Sequence, residues 1–189
     1  MKRICSFCIL AGCFSLVCAS AIAQEVVHAT TGTINSVDAT AKTITVTDED
    51  GLAGTYNDLV DSGTRVAFDK TLRADATAAP EFKTSGGRAI VYYYGSGSMR
   101  TIVALRNLGS GPFTKSSGIV LKFEGREHSL SIKEESGSVE SFKITADTVA
   151  DTRPGAVSGH RYQPSKGDKV ELIVTDVNGS PTAVFIESM

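Results

Sequence analysis

Apolar and polar residues alternate along much of the chain after residue 24, with the period of two that is typical of half-buried β-strands. Ile44 and Val46 alternate with threonines, and Leu130 and Ile132 alternate with polar residues. The same pattern recurs at residues 119–123, 142–144 and 170–174. Short strands of this kind, in a chain rich in Gly, Thr, Ser and Val, predict an all-β fold.

Turn sequences separate the predicted strands. Residues 48–51 (Asp-Glu-Asp-Gly) and 95–98 (Gly-Ser-Gly-Ser) predict hairpin turns, and Asn178-Gly179 is the strongest short hairpin pattern. Residues 69–80 are rich in alanine and are compatible with one or two helical turns. Residues 151–166 contain two prolines and two glycines and predict an irregular loop.

The second half of the chain resembles the first. Gly32, in the sequence Thr-Gly-Thr-Ile, matches Gly118, in Ser-Gly-Ile-Val, 86 residues later. The last predicted strand of the first half, residues 101–105, matches residues 182–186 at a separation of 81. Self-similarity at a nearly constant separation predicts an internal duplication.

We therefore predict two tandem OB-like β-barrels of five to six strands each, at residues 29–107 and 117–188, joined by a linker at residues 108–116. Each copy has roughly 75 residues, which is small for an independent core. Closing each copy into a barrel would remove its exposed strand edges. We expect two barrels in contact, with one continuous structure as the alternative.

Residues 1–23 have a different composition from the rest. Lys2 and Arg3 precede an apolar run, and Ala21-Ile22-Ala23 has the small-x-small pattern of a cleavage site. These features predict a signal peptide cleaved after Ala23 and a periplasmic or extracellular protein. Residues 10–13 (Leu-Ala-Gly-Cys) resemble a lipobox, so a lipid anchor at Cys13 is the second interpretation. A membrane-spanning helix is the third, although the run is short for a span of about 20 residues.

All four cysteines lie in this leader, so the mature chain is expected to have no disulfide and no cysteine nucleophile. Without Lys2 and Arg3, 17 basic residues stand against 21 acidic ones, a formal charge of −4. A mildly acidic chain is a poor candidate for binding nucleic acid, and we expect no nucleic-acid partner.

The strings at residues 32–38 (Gly-Thr-Ile-Asn-Ser-Val-Asp), 42–46 (Lys-Thr-Ile-Thr-Val) and 166–170 (Lys-Gly-Asp-Lys-Val) resemble an exported bacterial family. This family consists of OB-like small-barrel domains of unknown function, often found in tandem. More distantly, the pattern resembles the periplasmic copper/silver metallochaperones of the CusF type. The resemblance implies a five-stranded barrel and a location in the cell envelope, and it implies no activity.

The metallochaperone ligands do not carry over to this chain. That family binds soft metal through a His after the second strand, a Trp, and a Met-x-Met pair on the third strand. Residues 47–49 (Thr-Asp-Glu) and 133–135 (Lys-Glu-Glu) stand where the His would be, and the chain has no Trp. Its methionines, Met1, Met99 and Met189, form no pair. We therefore predict no metal site of that kind, and no cofactor.

The remaining candidate chemistry is sparse. His28, His128 and His160 fall in three predicted loops without the spacing of a metal site, and we expect them to be solvated. Residues 48–50 (Asp-Glu-Asp) lack the alternating ligands of a calcium loop and predict an acidic hairpin turn. The chain has no Gly-x-Ser-x-Gly elbow, and no catalytic residue is predicted.

The run Tyr92-Tyr93-Tyr94 is the most unusual local feature. On a strand, Tyr92 and Tyr94 share one face and Tyr93 lies on the other. Such tyrosines commonly contribute to a core, with one amphipathic ring at the surface. The functional alternative is a stacking platform for a ligand, helped by Arg88 and Arg100 on neighbouring strands.

These observations favour a non-enzymatic binding or structural module of the cell envelope. Its partner would be an envelope protein, a glycan or a small ligand. A periplasmic protein that binds a small ligand or a metal is the first alternative. A hydrolase that uses loop carboxylates is the second.

Overall fold

The structure, a computed structural model, describes residues 24–58 and 65–189. The predicted signal peptide and the candidate lipid anchor at Cys13 lie outside these residues. The described part is built almost entirely from β-strands, which confirms the all-β prediction. None of the helices in the described ranges has the length and apolar character needed to cross a bilayer.

The N-terminal half comprises residues 24–58 and 65–109. Its elements are β1 (Glu25–Val26), β2 (His28–Asp38), β3 (Thr43–Thr47), β4 (Ala53–Asp58), β5 (Val66–Ala67), α1 (Lys70–Ala74), β6 (Thr77–Ala78), a 3-10 turn (Ala79–Glu81), β7 (Arg88–Tyr94), a second 3-10 turn (Gly97–Met99) and β8 (Thr101–Gly109). The short helix and the first 3-10 turn fall in the alanine-rich segment 69–80, as its composition predicts. Asp69 caps α1, because its carboxylate accepts hydrogen bonds from the backbone N–H groups of Thr71 and Leu72.

The C-terminal half comprises residues 114–189. Its elements are β9 (Thr114–Glu124), β10 (Ser129–Lys133), β11 (Val139–Thr152), β12 (Gly155–Ser158), a 3-10 turn (Gly159–Arg161), β13 (Lys169–Val177) and β14 (Ser180–Ser188). Only residues 110–113 separate β8 from β9, so the connection is shorter than the predicted linker at 108–116.

The prediction of an irregular loop at residues 151–166 is wrong for its first part. There β11 and β12 form a tight hairpin, in which Thr152 pairs with Gly155. Gly155 has a φ of 116°, which residues with a side chain rarely adopt. Glycine at this position therefore allows the chain to turn at Arg153-Pro154. The Pro-Gly pair therefore marks a hairpin turn between two strands.

Five strands of the C-terminal half form a closed barrel. β9 pairs with β10 and with β13, β13 pairs with β14, and β14 pairs in parallel with β11. β11 then pairs with β10 over five residue pairs, which completes the ring. β12 extends the sheet beyond β11.

The N-terminal sheet follows the same order of pairing. β2 pairs with β3 and β7, β3 pairs with β4, and β7 pairs with β8. Within the described residues, the parallel pairing of β4 with β8 has two residue pairs, Asn57–Thr101 and Asp58–Ile102. The N-terminal sheet is not a closed barrel at this seam, so the prediction of a barrel is confirmed for the C-terminal half and not for the N-terminal half.

Equivalent glycines allow close strand crossings in the two halves. A Cβ atom on Gly32 would lie 2.4 Å from the carbonyl oxygen of Thr47, and one on Gly118 would lie 2.5 Å from that of Lys133. Real Cβ atoms do not approach a backbone oxygen so closely, so the first strand of each sheet needs glycine at this point.

Three separate apolar clusters hold the molecule together. One fills the C-terminal barrel, and a second lies inside the N-terminal sheet. The third lies between the halves, and we call it the inter-half core. Its buried members are Val27, Ala29, Leu72, Ile90, Tyr92, Ala104, Val149, Ala156, Ile173 and Phe185. The halves are thus in contact through a continuous buried surface.

The first described residues also connect the halves. β1 pairs in parallel with β5 of the N-terminal half. The carbonyl oxygen of Val27 accepts a hydrogen bond of 2.8 Å from the backbone N–H of Ala156 in β12. The side chain of Val27 is buried, so this segment forms part of the inter-half core.

Candidate functional site

Both faces of strand β7 pack against apolar clusters, and this packing determines the role of Tyr92. Ala89 and Val91 point into the N-terminal sheet, whereas Ile90 and Tyr92 point into the inter-half core. Tyr92 is completely buried and packs against Phe68, with ring centroids 5.0 Å apart. Its ring therefore has no surface to offer a ligand, and the prediction of a stacking role for Tyr92 is wrong. Burial raises the pKa of Tyr92 to about 12.

Tyr93 and Arg100 are brought together, as the platform hypothesis requires. Tyr93 is half-buried at the rim of the N-terminal sheet, and its ring meets the ring of Tyr56 edge-on at 5.5 Å. The guanidinium carbon of Arg100 lies 4.3 Å from the ring centroid of Tyr56 and 5.7 Å from that of Tyr93. These distances are within the range of cation–π contacts. The ring of His28 is 6.3 Å from that of Tyr93.

Arg100 is held in place by several contacts. Its Nη1 donates a hydrogen bond of 2.8 Å to the hydroxyl of Tyr56, and its Nε donates one of 3.1 Å to the carbonyl oxygen of Gly97. A Cβ atom on Gly54 would lie 2.8 Å from Nη2 of Arg100, so the missing side chain at residue 54 makes room for the guanidinium. Arg100 thus bridges β4 and β8 at the short seam of the N-terminal half.

The other two predicted site residues do not join this cluster through any contact that the structure shows. Tyr94 is half-buried at the end of β7. Arg88 begins β7, five residues before Tyr93, which corresponds to about 16 Å along a strand. Its guanidinium forms an ion pair with Glu49 and lies 5.1 Å from the ring centroid of Phe113. Arg88 therefore has a structural role in the described molecule.

The acidic turn at residues 48–50 joins the hairpin of β3 and β4, as predicted, and two of its side chains contact basic groups. Glu49 is mostly buried beside Arg88. Asp50 accepts a hydrogen bond of 2.8 Å from Lys115, which also contacts Glu171 at 2.9 Å. Lys115 follows the connection between the halves, so the turn contributes an ionic contact between them.

His28 is also not a solvated loop residue. It is the first residue of β2, and its Nδ1 lies 3.1 Å from Oδ1 of Asp151 on β11 of the other half. The same carboxylate accepts a hydrogen bond of 3.0 Å from the backbone N–H of Ala29. Burial raises the pKa of Asp151, while the N–H of Ala29 and the neighbouring His28 oppose that rise. Asp151 thus contributes polar contacts at the edge of the inter-half core.

Two further carboxylates lie beside Asp151 in strand register. Asp151 pairs with Glu187, and Glu187 pairs with Glu171 on the next strand. Partial burial raises the pKa of Glu187, and the negative charges of Glu171 and Asp151 raise it further. Spacing along the chain could not indicate this row, because its members lie on three different strands.

The structure brings two of the histidines together, which the sequence spacing did not indicate. The rings of His128 and His160 lie 5.3 Å apart between centroids, at an interplanar angle of 70°. No larger group of His, Cys, Asp or Glu side chains in residues 24–58 and 65–189 is arranged to hold a metal ion.

In the cluster of Tyr56, Tyr93, Arg100 and His28, the half-buried ring of Tyr93 lies beside two hydrogen-bond donors, Arg100 and His28. Tyr56 is buried and holds Tyr93 and Arg100 in place. Such a combination suits a ligand with a flat apolar face and polar groups at its edge. Neither a search with protein-family models nor a search of curated protein sequences finds a match to this chain.

Proposed function

We propose that this chain is an exported, non-enzymatic binding module of the cell envelope, built from two OB-like barrels that arose by duplication. The resemblance to exported OB-like domains remains a prediction, and the proposal therefore rests on the residues of this chain. The cluster of Tyr56, Tyr93, Arg100 and His28 at the boundary of the halves is the observation that carries it.

Three geometric correspondences support the duplication. The strand order is the same in both sheets, and Gly32 and Gly118 occupy equivalent crossings. The turns at Gly51 and Gly137 also share their hydrogen bonds. The N–H of each glycine donates to the residue three positions earlier, at 3.1 and 3.0 Å. Both pairs of glycines are separated by 86 residues, as a duplication would place them.

The inter-half core supports a binding role because it holds the site in one arrangement. Tyr93 follows Tyr92 on β7, and Tyr92 is anchored in that core. His28 begins β2 and is fixed by Asp151 of the other half. Side chains whose positions are fixed in advance lose less entropy when a ligand binds.

A neutral glycan is the ligand that the charges favour. Sugar rings stack on tyrosine, and their hydroxyls accept hydrogen bonds from groups such as Arg100 and His28. Asp151 and Glu187 lie close enough to Tyr93 to raise the pKa of its hydroxyl, after the larger effect of burial. The same negative charges would repel an acidic ligand.

The test is a titration of the mature chain with neutral oligosaccharides, followed by tyrosine fluorescence, since the chain has no Trp. Tyr93→Ala should abolish the fluorescence change, and Tyr94→Ala, on the same strand, is the matched control. A response that persists in Tyr93→Ala would contradict the proposed site. Conversion of the sugar to shorter products, lost in Asp151→Asn, would instead favour a hydrolase.

Export is tested separately by intact-mass measurement of the protein expressed with its own leader. The proposal expects a mature chain that begins at Gln24. A diacylated terminus at Cys13 would contradict cleavage after Ala23 and would favour a lipoprotein.

A further inference from the structure

We propose that His128 and His160 form a two-imidazole binding site for a divalent transition-metal ion such as Zn²⁺ or Cu²⁺. The site lies in the C-terminal half and is independent of the glycan site proposed above. It rests on the approach of the two rings and on the way in which the backbone holds each histidine.

The separation of the rings fits a shared metal ion. A bond of about 2.0–2.1 Å from the metal to each ring nitrogen places the ion about 3.2 Å from each ring centroid. Tetrahedral coordination then separates the centroids by about 5.2 Å, and a right-angled arrangement by about 4.5 Å. The observed separation is 5.3 Å, and the rings are inclined at 70°. The observed separation is closest to that of the tetrahedral arrangement.

His128 is fixed by β11 through its backbone. Its carbonyl oxygen accepts a hydrogen bond of 2.7 Å from the N–H of Ile144. Its φ is 51°, in the left-handed region that few non-glycine residues adopt. A backbone in this conformation directs the side chain away from the path it would follow in a regular strand.

His160 is fixed by the same part of β11. A Cβ atom on the preceding residue, Gly159, would lie 2.1 Å from the carbonyl oxygen of Thr145 and 2.9 Å from the side chain of Ile144. The 3-10 turn that carries His160 is therefore pressed directly against Ile144 and Thr145. Since one short segment of β11 positions both histidines, their approach is built into the barrel.

Accessibility and donor type support metal binding over a purely structural pair. His160 is exposed and His128 is half-buried, so an ion can reach both rings. Imidazole suits Zn²⁺, Cu²⁺ and Ni²⁺, and affinity along the first-row series is greatest at Cu²⁺. Water would occupy the remaining coordination positions. His128 also lines a shallow cleft of about 280 Å³ together with Glu127 and Lys143, and this cleft gives an ion a path to its ring.

The experiment is a Cu²⁺ titration of the untagged chain, followed by calorimetry and by electron paramagnetic resonance. One ion per chain should bind in the micromolar range, with splitting from two nitrogen ligands. His128→Asn and His160→Gln should each weaken binding at least tenfold. Asparagine is chosen at residue 128 because it tolerates a positive φ. Thermal melting of each variant checks that the fold is intact.

His28→Gln is the matched control. His28 is occupied by Asp151 and should contribute nothing to the site, so this variant should bind Cu²⁺ as the parent chain does. Undiminished binding in the His128→Asn/His160→Gln double variant would overturn the proposal. So would the absence of a one-to-one complex in the parent chain.

Discussion

The two halves share the order of their five main strands, but within the described residues only the C-terminal sheet closes into a barrel. In the C-terminal half, β11 has 14 residues and pairs with β10, β14 and β12. In the N-terminal half, the described part of the corresponding strand, β4, ends at Asp58, directly before the undescribed residues 59–64, and it pairs with β8 at two positions. The short strand β6 pairs with β8, whereas its counterpart β12 pairs with β11. Within the described residues, β11 therefore joins its sheet into a closed ring, whereas β4 does not close the N-terminal sheet.

Strand β11 also provides contacts with the N-terminal half. After an irregularity in pairing between Ile144 and Val149, β11 continues along β14 and carries Val149 and Asp151 to the other half. The hydroxyl of Thr148 is buried at this irregularity and donates a hydrogen bond of 2.6 Å to the carbonyl oxygen of Ala183. The N-terminal half relies on Arg100 at its seam instead. Residues of both halves therefore form the inter-half core, and β11 contributes to it from the C-terminal side.

Phe185→Ala tests how far the stability of both halves depends on the inter-half core. Phe185 belongs to β14 but faces the inter-half core, so its removal should lower the free energy of unfolding by about 3–5 kcal/mol. Because both halves contribute to that core, chemical denaturation should show a single transition that shifts as a whole. Val139→Ala, at an exposed position of β11, should change little. Two separate transitions would show that the halves unfold independently.

Gly32→Ala and Gly118→Ala test whether both halves depend on glycine at the equivalent strand crossing. Each added methyl group would meet a backbone carbonyl oxygen, of Thr47 or Lys133, at about the same distance. Each substitution should therefore cost about 1–3 kcal/mol, measured by urea denaturation. Gly125→Ala is the control, because its Cβ would lie 3.6 Å from the nearest atom, in Phe123. A large effect in one half and none in the other would break the proposed equivalence.

The strands and turns could be predicted from local sequence, because each depends on neighbouring residues. The hairpin at Asn178-Gly179 joins β13 and β14 as expected, with both residues at positive φ. The β11–β12 hairpin was missed, because Pro154 and Gly155 are equally frequent in irregular loops. Its turn depends on contacts of Gly155 with Val26 and Val27, far away in the sequence.

The candidate sites were harder to predict, because they assemble across strands and across the halves. The alternation on β7 placed Tyr92 and Tyr93 on opposite faces, but it gave no sign that both faces are covered. Asp151 and His28 are 123 residues apart, and the proximity of His128 and His160 depends on β11. Without knowledge of strand register, spacing along the chain could not reveal these pairs.

Tyr92→Phe examines the least expected feature of the inter-half core. The hydroxyl of Tyr92 is buried and has no hydrogen-bond partner within the part of the chain that the structure describes. A buried polar group without a partner destabilises a protein, so removing it should raise the free energy of unfolding by about 1 kcal/mol. Tyr56→Phe is the contrast in the same half, because it removes the hydroxyl that accepts a hydrogen bond from Arg100. Tyr56→Phe should therefore lower the free energy of unfolding. If Tyr92→Phe lowered it as well, the hydroxyl of Tyr92 would have a hydrogen-bond partner.

Glu187→Gln should have the smallest effect and the most specific pH dependence. The pKa of Glu187 is raised above the usual 4.5 by burial and by Glu171 and Asp151. The folded state therefore binds a proton at Glu187 more tightly than the unfolded state does. Protonated Glu187 stabilises the fold at acid pH, and this stabilisation is lost as the pH rises through the raised pKa. Glutamine remains neutral, so at neutral pH the variant should melt at a slightly higher temperature than the parent chain. This difference should disappear below about pH 4, where Glu187 is protonated in both states.

Glu171→Gln gives the opposite expectation on the adjacent strand, because Glu171 contacts Lys115 at 2.9 Å. Removing that carboxylate leaves Lys115 with Asp50 alone, so the variant should melt at a lower temperature at neutral pH. Melting curves of both variants between pH 3 and pH 7 separate the two carboxylates. If Glu187→Gln also melted at a lower temperature at neutral pH, the ionised Glu187 would be stabilising. The repulsion within the row of carboxylates would then be outweighed by attraction to Lys115, which lowers the pKa of Glu187.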